Sequence, residues 1–449
     1  MKNLNSNAPL QRRRFLSSAA LAAGGLALSS RASAQNSAPA GDPVKIALIG
    51  AGTQGQTLLG VCMKALNVRV VAVCDIWEAY NLNQASRILA GFKQEPHLYI
   101  DYREMLAKEK ELEAVVIATP DFCHAEQTIS CLQAGFPVYC ESLMSNTIEG
   151  AKKMVQATKE TGKLLQIGFQ RRSNPRYRFA YEHIVNETKM LGKISAANGQ
   201  WNRPVQTDRG WPKRAPLAEA ALSQYGYASM QQFRNWQWYK ELGGGPLAEL
   251  GSHQLDVFNW FTGMTPKSVM ASGGTLFYDK ESHQWSDTLM AIFEYASEKE
   301  NLRAFYQTVN SNSNFGHIEN FMGDQGTLYL SESAARVKVY REPAAPDWSK
   351  WVKLGILESE EKPKEEKKPE GAVLDVQETV IPPSFNLPVK SSDPVFKPHL
   401  ENFFNAVRGK EKLNCPAETA YPATVLTLKI NEAAQSGQKI EFKPEDFLV

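Results

Sequence analysis

Four groups of residues in this chain have types and spacings that can do chemistry. Gly50-Ala51-Gly52-Thr53-Gln54-Gly55 follows an apolar run and opens an amphipathic one. A diphosphate-binding turn needs that placement, with Gly50 for the tight turn, Gly52 for close backbone approach and Gly55 for close helix-strand packing. Asp75 ends the next apolar run about 20 residues on, where a carboxylate takes both hydroxyls of an adenosine ribose and repels a 2′-phosphate. NAD is therefore expected over NADP, with Thr53 and Gln54 beside the turn and Trp77 placed either to flank the adenosine or to pack. Thr119, Pro120, His124, Glu141, Ser142 and Gln170 form a third group, each just beyond a further apolar run. In the fourth, Glu249 and His253 are spaced i, i+4, so a helix opened by Gly243-Gly244-Gly245 puts them on one face, with Asp256 three residues further able to reach the same side.

These groups need a scaffold, and the hydrophobic pattern supplies one. Val44 to Ile49, the glycine turn, an amphipathic stretch from Gln54 to Ala65 and Val68 to Cys74 read as strand, turn, helix and strand. Apolar runs recur at Ala114 to Ala118, Pro137 to Cys140 and Leu164 to Gly168, between helical stretches. The fold class is α/β: an N-terminal Rossmann domain, residues 44–172, with a doubly wound parallel sheet. Ligands bind at the carboxyl ends of such strands, and Thr119, His124, Glu141, Ser142 and Gln170 all lie there. Beyond Pro175, longer strand candidates at Ile194 to Asn202, Ser268 to Gly273, Thr288 to Tyr295, Leu302 to Val309 and Gly326 to Leu330 predict an α+β domain, residues 173–449, with a largely antiparallel open sheet. The aromatic and amide side chains of Gly192 to Asp208 and Trp211 to Trp238 suit stacking and hydrogen bonding to a sugar, or core packing. Helices from His399 to Val407 and Ala417 to Ser436 are expected to pack back on the body.

Met1 to Ala34 has the parts of a cleaved export signal: a basic start with Arg12-Arg13-Arg14, an apolar run from Ala19 to Leu28, and Ala32-Ser33-Ala34 as a cleavage site. Twin arginines predict export of a folded protein to the periplasm, and Gln35 to Pro43 reads as a linker. The chain carries a net +2, and the leader holds five basic residues and no acid, so the remainder is at −3. That balance gives no electrostatic reason to bind nucleic acid or anionic lipid, and no later segment is long and apolar enough to span a membrane. Six cysteines lack metal or disulfide spacing and read as buried thiols. His253 has no second histidine at helical distance, so no metal is expected, and no Gly-x-Ser-x-Gly elbow points to serine hydrolysis. The charged, proline-broken run from Leu357 to Gly371 is expected to be a solvated loop.

The glycine turn, the Asp75 strand end, Ala118-Thr119-Pro120 with His124, Glu141, and the Gly243-to-Asp256 element together resemble the Gfo/Idh/MocA oxidoreductases, the family of glucose-fructose oxidoreductase and inositol dehydrogenase. The resemblance runs from about Val44 to the C-terminus. It implies NAD held by Gly50, Gly52, Thr53, Gln54, Gly55, Asp75, Thr119, Pro120, His124, Glu141 and Gln170. It also implies a carbohydrate substrate bound between domains and a homo-oligomer, dimer or tetramer, built on the open sheet. His253 would be the general base for a sugar hydroxyl, with Glu249 orienting it or binding a neighbouring hydroxyl. Two departures stand out: the family's usual Glu-Lys-Pro is Glu141-Ser142-Leu143 here, and Glu249 replaces the usual aspartate. Ser142 hydrogen-bonds but brings no charge, and losing a positioned group costs about 10²- to 10⁴-fold in rate. Arg171, Arg172 or Arg176 are the cations expected to fill the gap, with Arg171, Arg172 and Asp256 as substrate contacts. An exported enzyme has little free NAD to exchange, so the cofactor is expected to be retained and recycled. Three readings stay open: hydride transfer between sugars; glycoside cleavage by oxidation, elimination and re-reduction; and a non-catalytic NAD- or sugar-binding homologue.

Overall fold

The apolar runs carrying the glycine turn and Asp75 are neighbouring strands of one parallel sheet. In a computed structural model that describes residues 41–297, 301–359 and 382–449, this sheet contains β1 (Val44–Ile49), β2 (Val68–Cys74), β3 (His97–Tyr99), β4 (Ala114–Ile117), β5 (Val138–Cys140) and β6 (Leu165–Ile167). Their order is β3-β2-β1-β4-β5-β6. The order reverses between β1 and β4, and this switch point opens a crevice at the strands' carboxyl ends. β4 is buried at every position, as expected of a strand covered on both faces. The export signal and residues 360–381 of the charged run and its sequel lie outside the described residues.

The second sheet has ten strands: β7 (Ile194–Asn202), β8 (Pro266–Gly274), β9 (Thr288–Ala296), β10 (Asn301–Val309), β11 (His317–Gly323), β12 (Gly326–Leu330), β13 (Lys338–Arg341), β14 (Glu358–Ser359), β15 (Ser384–Asn386) and β16 (Ile440–Glu441). It is mixed: most pairs are antiparallel, but β7 runs parallel to β10. One face is covered; the other is open. In β9, Leu289, Ala291, Phe293 and Tyr295 are buried whereas Met290 and Ile292 are exposed. The helices Ser252–Thr262 and Ala417–Ser436 pack into the core with the buried side chains of this sheet.

β11 has no hydrophobic signature, because Glu319 takes a buried position and Asn320, on the opposite face, is buried as well. Glu319 is admitted there by an ion pair with Arg171 and a hydrogen bond from the Tyr177 hydroxyl at 2.6 Å. A further apolar cluster lies away from both sheets. Trp77, Leu222, Tyr227, Met230 and Leu242 pack together, with Phe122, Phe233 and Trp236 against them. A strap, residues 211–242, thereby lies against the loops that follow β2 and β4.

Candidate active site

One cleft of about 1240 Å³ collects most of the singled-out residues. Gly50, Gly52, Thr53, Gln54, Asp75, Thr119, Pro120, Glu141, Ser142, Gln170, Glu249 and His253 all line it. The glycines answer to different demands. Gly50 has φ +91°, and a Cβ there would lie 2.7 Å from the Ala118 backbone. At Gly55 a Cβ would stand 2.0 Å from the Gly50 carbonyl oxygen, so this residue serves helix packing and does not line the cleft. A Cβ on Gly52 would meet no heavy atom within 4 Å, although Gly52 faces the cleft. No atom of the described residues demands glycine there; a ligand backed against the turn would. Gly52 caps the helix Thr53–Ala65 with no side-chain bond and no acid in its first turn, leaving N–H groups free for an anion. The residues present therefore fit a dinucleotide, with Gly52, Thr53 and Gln54 able to hold its diphosphate.

Asp75 bridges the turn and the end of β2. Its carboxylate accepts from Ala51 N at 2.7 Å, Trp77 N at 2.8 Å and Asn81 Nδ2 at 3.1 and 3.2 Å. Burial raises its pKa, against the pull of those hydrogen bonds and of Arg234. It lines the cleft where a ribose would lie, but most of its acceptor capacity already holds the turn. Trp77 is fully buried and does not line the cleft; its indole donates to Ala215 O at 2.8 Å and meets Phe233 edge-on at 5.6 Å. Of its two expected roles, packing is the one observed: it anchors the strap.

Beyond β5, Gln54 Nε2 donates to Glu141 Oε1 at 2.8 Å, joining the glycine-turn helix to the Glu141-Ser142 segment. Burial lifts the Glu141 carboxyl to about 7, despite that hydrogen bond. Ser142 Oγ lies 3.3 Å from His253 Nε2. His124 lies outside the cleft lining: its ring nitrogens reach Thr119 O and Leu143 O, each at 2.7 Å. It pins the β4 and β5 loops together and so positions Ser142. Thr119 Oγ1 donates to Gln127. Gln170 donates to Glu332, while its buried Oε1 has no partner among the described residues.

Glu249 and His253 reach one cleft from adjoining helical pieces, a wide turn Leu247–Gly251 and the α-helix Ser252–Thr262. His253 is packed edge-on against Phe169 at 5.5 Å and near Trp201. Burial, with the charge of Arg171 and the neighbouring His399 and His317, pushes its pKa down to about 3. It is neutral at physiological pH, with Nδ1 buried and without a partner among the described residues. Burial would raise Glu249, but the charge and hydrogen bond of Arg203, joined by Arg209, hold it below its ordinary value, hence ionised.

The arginines and Asp256 expected at the substrate are elsewhere. Arg171 is buried against Glu319 and Glu332. Arg172 grips Asp256 with both oxygens engaged at 2.8–3.0 Å, and Arg176 donates to the Glu332 and Ser391 carbonyls. None lines the cleft, because a buried guanidinium is tolerated only when paired and these are paired in the wall. The cations that do line it are Arg103, Arg209 and Arg234, with Arg203 behind Glu249. Sequence reasoning passed over these four; the only nearby signal was the polar, aromatic texture around β7 and the strap. The six cysteines are unpaired, and burial pushes the Cys62 thiol up to about 12. Among the described residues no three His, Cys, Asp or Glu side chains group as metal ligands, and no helix is long and apolar enough to cross a membrane.

This Rossmann cleft, closed by a second sheet domain, defines a dinucleotide-dependent class of protein, and family comparison narrows it. Residues 44–169 match the oxidoreductase family's NAD-binding Rossmann fold and residues 187–442 its C-terminal alpha/beta domain. The chain belongs to the Gfo/Idh/MocA oxidoreductase family, and its N-terminal domain is an NAD-binding Rossmann domain. Inositol 2-dehydrogenase of Pseudomonas fluorescens SBW25 is 34% identical over 137 residues, 30% of this chain and 39% of the relative. The 4-carboxy-2-hydroxymuconate-6-semialdehyde dehydrogenase of Sphingobium sp. SYK-6 is 27% identical over 170 residues, 38% of this chain and 52% of that one. These curated relatives are thus matched over about half their length or less. The fold is also that of levoglucosan dehydrogenase solved with NADH and L-sorbose, at TM-score 0.65 and 16% identity over 90% of this chain and all of the other. Myo-inositol 2-dehydrogenase from Lactobacillus plantarum superimposes at TM-score 0.62 and 18% identity, over 90% of this chain and all of the other.

Proposed function

We propose that this protein is an exported NAD-dependent oxidoreductase that acts on a secondary alcohol of a sugar, polyol or glycoside and keeps its cofactor from one turnover to the next. The observation that carries this reading is a single cleft holding the glycine turn and Asp75 together with Ser142, His253 and Glu249. NAD, when bound, supplies a hydride acceptor. The protein's own task is to orient the alcohol and take its proton. His253, neutral and buried, has Nε2 3.3 Å from Ser142 Oγ, within hydrogen-bonding reach. Its low affinity for protons makes it a poor place to store one. Glu141, with a pKa near 7 in the same cleft, is the better proton reservoir at neutral pH. Glu249 stays charged and accepts from a neighbouring hydroxyl, and the unpartnered buried oxygens Gln170 Oε1 and Gln237 Oε1 also call for hydroxyl donors.

The strap supports cofactor retention. Tyr225, Tyr227, Phe233 and Arg234 line the cleft beside Asp75 while the strap's apolar side chains pack on Trp77. A nucleotide leaving that end must break this packing. The open sheet face, with Met270, Met290 and Ile292 exposed, suits a homo-oligomer. The twin-arginine leader supports a periplasmic location. In this reading Ser142 stands where the resemblance implies a lysine, which favours slow turnover and leaves a non-catalytic binding protein as the competing reading.

The test uses full-length protein purified from the periplasm without added nucleotide. Denaturation should release NAD, and sugars given to the native protein should change its nicotinamide absorbance, with a second sugar reversing the change. Nucleotide-free protein would sink the retained cofactor. A static spectrum and no product across sugars, polyols and glycosides would leave the non-catalytic reading, whereas release of a glycoside's leaving group would indicate the elimination route.

A further inference from the structure

Three arginines line the cleft, and one of them lacks a close partner. Arg103 pairs with Glu126 and Asp101. Arg234 lies over the Trp77 ring at 5.3 Å and donates Nε to Gly210 O at 2.7 Å. Arg209 comes within only 4.0 Å of Glu249 Oε1, too far for a hydrogen bond, and its guanidinium donates none to the described residues. Glu249 cannot neutralise it, because Arg203, 10% exposed, already donates to the other Glu249 oxygen at 2.9 Å. Asp208, held ionised by hydrogen bonds from Gly210 N and Asn235 Nδ2, sets its charge against Arg234 and not against Arg209. With His253 neutral, two guanidiniums facing one carboxylate leave a positive charge at the Glu249 end of the cleft. Arg209 also acts on Arg234, whose pKa is lowered by burial and then by this like charge, so an anion in the cleft would relieve both.

We propose that Arg209 receives a carboxylate of the substrate, making the preferred substrate a sugar acid and not a neutral sugar. A guanidinium presents parallel N–H donors that match a carboxylate's two oxygens, which gives orientation as well as charge. Such a contact fixes which carbon of the sugar faces the cofactor.

This inference rests on the oxidoreductase reading for its kinetic arm and is independent of it for its binding arm. Matched pairs are compared on the NAD-loaded protein: glucuronate with glucose, galacturonate with galactose, gluconate with sorbitol. Arg209 is 37% exposed, so solvent screens the pairing, and the acid should exceed its neutral partner about 2- to 5-fold in kcat/KM. Arg209→Met should bring that ratio to near unity, and Arg209→Lys should retain part of it. Equal use of both members, an equal loss of both in Arg209→Met, or loss of bound NAD with the ratio intact would overturn the proposal; the last would assign Arg209 to the cofactor's diphosphate. Calorimetry covers the case in which nothing is oxidised: acid binding that Arg209→Met abolishes supports the carboxylate site and refutes only the oxidoreductase reading. No acid binding in the native protein refutes the carboxylate site.

Discussion

Arg171→Met separates the wall of the site from its contents. Arg171 is 1% exposed, and its partners Glu319 and Glu332 are 0% and 9% exposed. Removing one partner of a buried ion pair costs about 3–5 kcal/mol, because the other charge stays buried and unpaired. That is a large share of the roughly 5–15 kcal/mol that stabilises a typical fold. The variant should therefore denature at markedly lower urea, and adding Glu319→Gln should recover part of the loss. The pH dependence has a definite sign. Burial already raises Glu319, and only Arg171 and hydrogen bonds from Tyr177 and Gln254 oppose it. Without Arg171 its folded-state pKa rises further above the unfolded value, so the group's contribution is fully present in acid and is lost as pH rises through the folded value. The deficit against wild type should shrink as the pH is lowered. Arg171 is also the leading charge that depresses His253, so the His253 ring should titrate above its native value of about 3, visible by NMR. A variant of normal stability that merely loses substrate affinity would refute this assignment and restore Arg171 to the substrate.

Four other substitutions probe the cofactor end. Gly52→Val should fold normally yet lose NAD, since its side chain meets only cleft, whereas Gly55→Val should destabilise the fold because its Cβ collides with the Gly50 carbonyl; denaturation curves and nucleotide content separate the two. Phe233→Ala removes an edge-on contact to Trp77 at 5.6 Å and should speed NAD release about tenfold, measured by chase with labelled NAD. Glu141, raised from 4.5 to about 7 by burial, makes a contribution present below 4.5 and lost as pH approaches 7, so Glu141→Gln should flatten a decline of up to about 3 kcal/mol in nucleotide-free protein.

How much of this was legible depends on the range of the forces involved. The glycine turn, β1, β2, the bounds of the helix Ala417–Ser436 and the order of the βα units follow from local periodicity and turn chemistry, and they appear almost residue for residue. The strand β11 was hidden, because its buried Glu319 breaks the apolar alternation and is tolerated through partners such as Arg171, 148 positions away in sequence. The same long-range pairing misdirected the arginines: a side chain's charge is plain in sequence, but its partner is not. Arg209 fell between two stretches whose composition drew attention, and it is tied to the strap through Asn235, whose Oδ1 accepts from Arg209 N at 3.2 Å. Trp77 itself looked like a candidate adenosine contact because its place after Asp75 is right. Its burial by strap residues from the other half of the chain could not be read locally.

The most direct test of the central claim follows a hydrogen atom. Native protein carrying its own NAD is given a preferred sugar deuterated at the reacting carbon, then denatured, and the released nucleotide is weighed by mass spectrometry. The account predicts NADH carrying one deuterium without any NAD having been added, and far less of it from His253→Gln. Nucleotide that stays oxidised and unlabelled in the native protein, with the same sugar bound, would contradict it.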